Sequence, residues 1–261
     1  MNWLYSFPDV AILAICAATL ALLIVVLPLL VQRLPWMLPS DRNTDFVLRM
    51  QATLFTMTSL VLAFTLVEAE NNFRKVDALV SAEASQINRL DRLLLRYGDP
   101  AAEAIRADLL TYARAIVRDE WPAMLSGKPG DQTRSALARM SRLVLSLDPQ
   151  TNRQTMIYGE ILRSYDSVAE SRDARLASVP VALPAAYWQV VLFAVMALLF
   201  ISATMQRTAF RATVLAVQMA VIGAFLGFVF IQDQPFKGQM AVDPEPIAQV
   251  IAVLEGRKGG G

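Results

Sequence analysis

"FTLVEAENNFRK", residues 64–75, carries the chain from oil to charge within a few helical turns. Apolar positions give way to Glu68 and Glu70, a pair of amides, then Arg74 and Lys75, with no Pro or Gly between them. Nothing here stops a helix, so one helix can leave a bilayer and continue in water. Just upstream, "MQATLFTMTSLVLAFTLV" (Met50–Val67) contains no Asp, Glu, Lys or Arg and is flanked by Arg49 and Glu68. Its length suits a hydrocarbon layer of about 30 Å. Phe55, Ser59, Leu62, Leu66, Ala69, Phe73, Val76, Val80, Glu83, Ile87, Leu90, Leu94 and Tyr97 step by alternating fours and threes through the edge without a break. The spacing predicts one helix of about 45 residues, on the order of 65–70 Å, half in lipid and half in water.

Three further apolar runs lie outward from this helix. "VAILAICAATLALLIVVLPLLV" (Val10–Val31) is too long for a signal-peptide core, and the leader before it has no Lys or Arg, so it reads as a retained anchor. "LPAAYWQVVLFAVMALLFISATM" (Leu183–Met205) carries Tyr187 and Trp188 as interfacial anchors. "ATVLAVQMAVIGAFLGFVFI" (Ala212–Ile231) holds Gly223 and Gly227, a spacing that lets helices approach closely, either within one chain or between two. The composition agrees. The 261 residues are 55% hydrophobic, high for a soluble protein, and the charges cluster in the middle. A net charge of +1 and the lack of a basic stripe point away from nucleic acid. With no histidine, imidazole bases and the usual zinc sites are excluded. Cys16 is the only cysteine and cannot form an intrachain disulfide.

Residues 68–182 are cut by turn signals, "YGDP" at 97–100, "SGKPGD" at 126–131 and "LDPQT" at 147–151. The pieces between have helical period: Ile105, Leu109, Tyr112, Ile116 and Met124; Leu137, Met140, Val144 and Leu147; Tyr158, Ile161, Tyr165 and Val168. No segment alternates convincingly with period two. The expected fold is an all-α membrane protein of four transmembrane helices with a helical extramembrane domain inserted between the second and third. The first two spans fall in 1–67, the domain in 68–182 continuous with span two, the last two spans in 183–232, and an extramembrane tail in 233–261. "DPEP" in that tail reads as a rigid extended segment rather than a cation site.

Arg33, Arg42 and Arg49 lie between spans one and two, and Arg207 and Arg211 between spans three and four. The positive-inside rule then predicts both short connections in the cytoplasm, with the helical domain and both termini on the extracytoplasmic side.

"EASQINRLDRL" (83–93), "YARAIVRDEWPAM" (112–124) and "DQPFKGQMAVDPEPI" (233–247), in this order and with these flanks, resemble the bacterial bestrophin-like membrane family across nearly the whole chain. That family is remotely similar to the true bestrophins, pentameric chloride channels with a pore along the second helix. The resemblance implies a homo-oligomeric channel whose partners are the lipid bilayer, further copies of the chain and inorganic ions. Span two departs from the aromatic neck of those channels, offering Phe55 and Phe64 mixed with Thr.

No nucleophile–base pair, phosphate loop or metal-ligand cluster is present, so neither enzyme activity, cofactor nor metal is expected. The spans lack ionisable side chains, which speaks against an ion-coupled pump but not against a passive channel. Two functions remain: an oligomeric channel lined by span two, or a membrane-anchored sensor or scaffold whose helical domain binds a partner. For the channel, Gln51, Thr58 and Thr65 step by seven as a polar pore stripe, Phe55 and Leu62 form an apolar gate, and Glu68 and Glu70 form an acidic mouth favouring cations. The same hydroxyls can instead bond back to a helix. Glu83 sits where the seam wants an apolar side chain and is expected to pair with Arg172 on the returning helix, or else to face its symmetry mates. Pro122 places Trp121 near a helix end or kink, as a core anchor or an exposed binding residue.

Overall fold

The structure, a computed structural model, describes residues 7–31, 33, 41–125, 130–206 and 208–259. Among them every regular element is helical: α1 Asp9–Val31, α2 Asp41–Tyr97, α3 Pro100–Ala115, a π turn Ile116–Glu120, α4 Trp121–Leu125, α5 Asp131–Leu145, α6 Asn152–Ala177, α7 Ala185–Ala203, α8 Ala209–Gln232 and α9 Glu245–Gly259. Helices α1, α2, α7 and α8 are long and apolar enough to cross a membrane. The helix through "FTLVEAENNFRK" is unbroken and starts well before the sequence seam, giving 57 residues.

The chain divides into two compact units. The first comprises Met1–Phe73 and Ala182–Ala241, the second Arg74–Val181 and Val242–Gly261.

In the first unit the core is contributed by all four apolar helices: Leu20 and Ile24 of α1, Leu62 of α2, Val191, Val195, Leu198 and Leu199 of α7, and Met219 and Ile222 of α8. Gly223 and Gly227 allow α8 to touch α1. A Cβ on Gly223 would lie 2.5 Å from the Cys16 carbonyl oxygen and 2.8 Å from Ala17 Cα, and one on Gly227 3.3 Å from Leu13 Cα. The small-residue pattern therefore serves packing within one chain. Asp233, directly after α8, accepts the Leu183 N–H at 2.6 Å and the Trp188 indole N–H at 3.3 Å, tying the approach to α7 to the end of α8. Burial raises its carboxyl above the ordinary carboxylate range, and those two donors partly oppose the shift.

In the second unit the turn signals act as caps. Gly98 takes φ +72°, the left-handed conformation that ends α2. Asp99 then caps α3 by accepting the Ala101 N–H at 2.8 Å, with Pro100 opening the helix. Thr151 caps α6 through the Gln154 N–H at 3.2 Å. Of "SGKPGD", residues 126–129 lie outside the described residues. The seam of α2 is buried here at Val76, Val80, Glu83, Ile87, Leu90, Leu94 and Tyr97.

The tail departs from expectation. From Val242 it belongs to the second unit, and "DPEP" opens α9 instead of lying extended. Asp243 accepts the Glu245 N–H at 2.9 Å, and Pro246 falls in the first turn, where a missing N–H costs nothing.

Candidate functional site

Two places gather the residues singled out in the sequence. The first is the span portion of α2. Leu62, Thr58, Thr65 and Gln51 are 3%, 1%, 2% and 9% exposed within this single chain. Gln51 donates its amide to the Gln218 carbonyl oxygen on α8 at 2.6 Å, and Thr58 donates to the Ala194 carbonyl on α7 at 3.4 Å. Thr65 donates to Val61 on its own helix at 2.8 Å. Leu62 belongs to the bundle core, and Phe55 packs on it, half-buried. The polar stripe therefore faces the chain's own bundle, because lipid supplies no partner for an amide or hydroxyl and the neighbouring helices do. Glu68 and Glu70 are half-buried.

The second place is a cluster of buried charge in the second unit. Arg175 of α6 is wholly buried. Its Nε meets Glu83 Oε2 of α2 at 2.5 Å, and its terminal nitrogen meets Glu120 Oε2 at 2.7 Å. Arg172, one turn earlier, holds the other oxygen of Glu120. Tyr112 of α3 donates its hydroxyl to Glu83 Oε1 at 2.8 Å. Glu83, Glu120 and Tyr112 are each 0% exposed. The expected Glu83–Arg172 pair is thus corrected by one turn: Glu83 takes Arg175, and Arg172 takes Glu120. Both arginines continue the buried stripe of Ile161, Ser164 and Val168, so spacing alone did not choose between them. Burial opposes the Arg175 charge, but Glu83 and Glu120 outweigh it and hold the guanidinium protonated above its ordinary range. Burial, and then the neighbouring Glu83 carboxylate, raise the Tyr112 phenol well above its ordinary value, so the hydroxyl is a fixed donor.

The motif "DEWP" builds this cluster. Pro122 has no N–H to give and its ring presses on the preceding turn. The helix widens into the π turn, where the Trp121 N–H reaches the Ile116 carbonyl, five residues back. That turn aims Glu120 into the core. Asp119 and Glu120 also reach the start of α5, accepting the N–H groups of Gln132 at 3.2 Å and Gly130 at 3.3 Å. A Cβ on Gly130 would lie 2.8 Å from Glu120 Cβ, so only glycine fits there. Trp121 is half-buried, and its ring stands 5.6 Å from the Arg175 guanidinium carbon, a cation–π contact that sets it with the core rather than an open surface.

A second set of charges ties α9 down. Asp91, 1% exposed, accepts Arg106 Nε and Arg257 Nη1, each at 2.8 Å, and Arg257 also donates to Asn88 at 2.9 Å. Arg114 meets Glu255 of α9 at 2.6 Å. The sequence reading named none of Arg175, Glu120, Asp91 or Arg257 as a paired charge. The signal for Arg175 was present, three residues after Arg172 on one stripe, as was that for Glu120, two residues before a helix-breaking proline.

The described residues place these polar groups in a membrane bundle and a charge-pinned helical unit, the order of features already seen in the sequence. The Bestrophin-like domain family matches residues 16–247. The chain belongs to the bestrophin-like family. That match begins in α1 and ends in the first turn of α9, so the bestrophin-like region includes both the bundle and the charged cluster. No curated protein matches the sequence. Among solved structures, a crystal structure of a membrane protein shares the fold with a TM-score of 0.66, covering 96% of this chain and 98% of that one at 12% identity.

Proposed function

We propose that this bestrophin-like chain assembles into an oligomeric ion channel in the bacterial inner membrane, with α2 lining the opening by the face its own bundle leaves uncovered. Family membership supports a channel at the level of the family. The carrying observation is the exposed stripe Thr53, Thr56, Leu60, Ala63 and Val67. At about 100° per residue this stripe lies on the opposite side of α2 from Gln51, Thr58, Leu62 and Thr65. Thr53 and Thr56 donate to the Arg49 and Ala52 carbonyls, each at 3.0 Å, which leaves hydroxyl oxygens outward with no charge to desolvate. A passive path needs little more than hydroxyls and a narrow apolar constriction, here Leu60. Glu68 and Glu70 flank the line of this stripe and favour cations at its end. The positive-inside bias of the short connections puts the second unit outside the cytoplasm.

The test is single-channel recording of purified protein in planar bilayers. Thr56→Cys or Leu60→Cys, treated with a charged methanethiosulfonate, is expected to change conductance, and Thr58→Cys is expected to stay inert. Glu68→Gln is expected to shift the reversal potential toward anions. Absence of current from the unmodified protein, or a monomer with no central opening, overturns the channel and leaves a membrane-anchored scaffold.

A further inference from the structure

The second unit holds an open cleft of about 470 Å³ apart from the buried charge cluster. Arg114 and Arg118 line one wall, where α3 runs into the π turn, and Arg139 lines the other, on α5. Three arginines from two walls thus border one open space. Asp131, the one carboxylate among its lining residues, is held by Arg134 at 2.7 Å and points largely to solvent. Glu120 and Arg118 are two residues apart in the π turn. The winding that sends Glu120 inward therefore sends Arg118 outward, where it is exposed. Arg118 has no ion-pair partner among the described residues. Arg114 is engaged by Glu255 at 2.6 Å and Arg139 by Asp108 at 3.3 Å, both in partly exposed pairs. Exposed pairs of this kind hold weakly and exchange readily for a better anion.

The chemistry selects the anion. A guanidinium fork matches one carboxylate, as Arg114 already shows with Glu255, whereas a phosphate group presents enough oxygens for more than one fork. The volume lies in the range of sites for small organic ligands rather than for a bare ion. We propose that this cleft binds a phosphate-bearing anion of at least two charges, with Arg118 as the resident fork and Arg139 and Arg114 turning to it from their surface pairs. The site stands whether or not the chain conducts ions.

Inorganic pyrophosphate is the probe, titrated calorimetrically into the full chain in phosphatidylcholine nanodiscs. Saturable binding is expected, weakened about tenfold or more in Arg118→Gln and in Arg139→Gln, as the loss of a charge-assisted bidentate contact implies. Arg163→Gln, an exposed arginine on α6 paired with Glu160, is expected to bind as the unmodified chain does. Two cleft variants are used so that a folding defect in one leaves the other decisive. Nanodiscs carrying phosphatidic acid separate the sources: weaker pyrophosphate binding there marks a lipid phosphate as a competitor for the cleft, and unchanged binding marks a soluble ligand. Either result upholds the phosphate site. No saturable binding at millimolar pyrophosphate, or equal binding in the cleft variants and Arg163→Gln, overturns it.

Discussion

The two units handle buried polarity in opposite ways. In the first, the fully buried polar side chains among the described residues are neutral, and those in α2 rely on single bonds: Gln51 to Gln218, Thr58 to a carbonyl, Thr65 to its own helix. Close approach there comes from glycine, with α8 laid on the backbone of α1. In the second, the buried polar groups are mostly charged and interlocked, Glu83 with Arg175, Arg175 with Glu120, Glu120 with Arg172. Hydrocarbon makes a buried charge costly in the spans, so spans select small and neutral groups. The second unit keeps charges inside because each has a partner, and such a set adds little net stability over apolar packing of the same volume.

That contrast makes Arg175 the most sensitive position. Arg175→Met leaves Glu83 and Glu120 short of a partner inside a closed core. It is expected to cost about 3–5 kcal/mol of the second unit's stability, read by denaturant unfolding followed through Trp121 fluorescence in a chain whose other three tryptophans are replaced by Phe. Arg175→Lys is expected to rescue little, since an ammonium cannot reproduce the fork to two carboxylates. A loss below about 1 kcal/mol would mean that the charged set matters no more than an exposed pair. In the first unit, Gln51→Leu is expected to cost only about 0.6–1.7 kcal/mol, measured as a shift in thermal unfolding in detergent. A larger loss would show that the bundle also depends on one polar lock.

The smallest effect concerns Asp233. Its folded-state carboxyl is raised above the unfolded value, chiefly by burial. The folded state therefore holds its proton more tightly, and its contribution is greatest at low pH and declines as pH rises from the ordinary carboxylate range through the raised value. Asp233→Asn, which removes the titrating group and keeps one acceptor oxygen for the closer Leu183 N–H while giving up the bond from Trp188, is expected to flatten that slope in thermal unfolding measured across the acid range. An unchanged slope would remove Asp233 as its source.

The fold was largely legible because its signals are local. Apolar length gives the four spans, "YGDP" and "LDPQT" give caps that form as caps, and the four–three seam of α2 is buried from Val76 to Tyr97. The sites were less legible because they depend on which neighbour each face meets. Gln51, Thr58 and Thr65 form a true stripe, but a stripe does not say whether it faces its own bundle or another copy. Glu83 was legible as a buried carboxylate, yet choosing Arg175 over Arg172 needed the helix contacts, as both lie on one face. "DPEP" was read as extended because two prolines usually end helices. Here Pro244 precedes a helix and Pro246 falls in its first turn, where neither does harm.

The second unit is assembled from two stretches of chain separated by Ala182–Ala241. During synthesis its last helix, α9, emerges only after α7 and α8 have been made. At about 5–20 residues per second, that interval lasts on the order of several seconds. Throughout it Asp91 has Arg106 but not Arg257, and Arg114 has no Glu255. The nascent protein therefore carries an unfinished helical unit while its last two apolar helices await insertion. Completion of that unit therefore waits on the synthesis of α7 and α8, and α9 is its closing stitch.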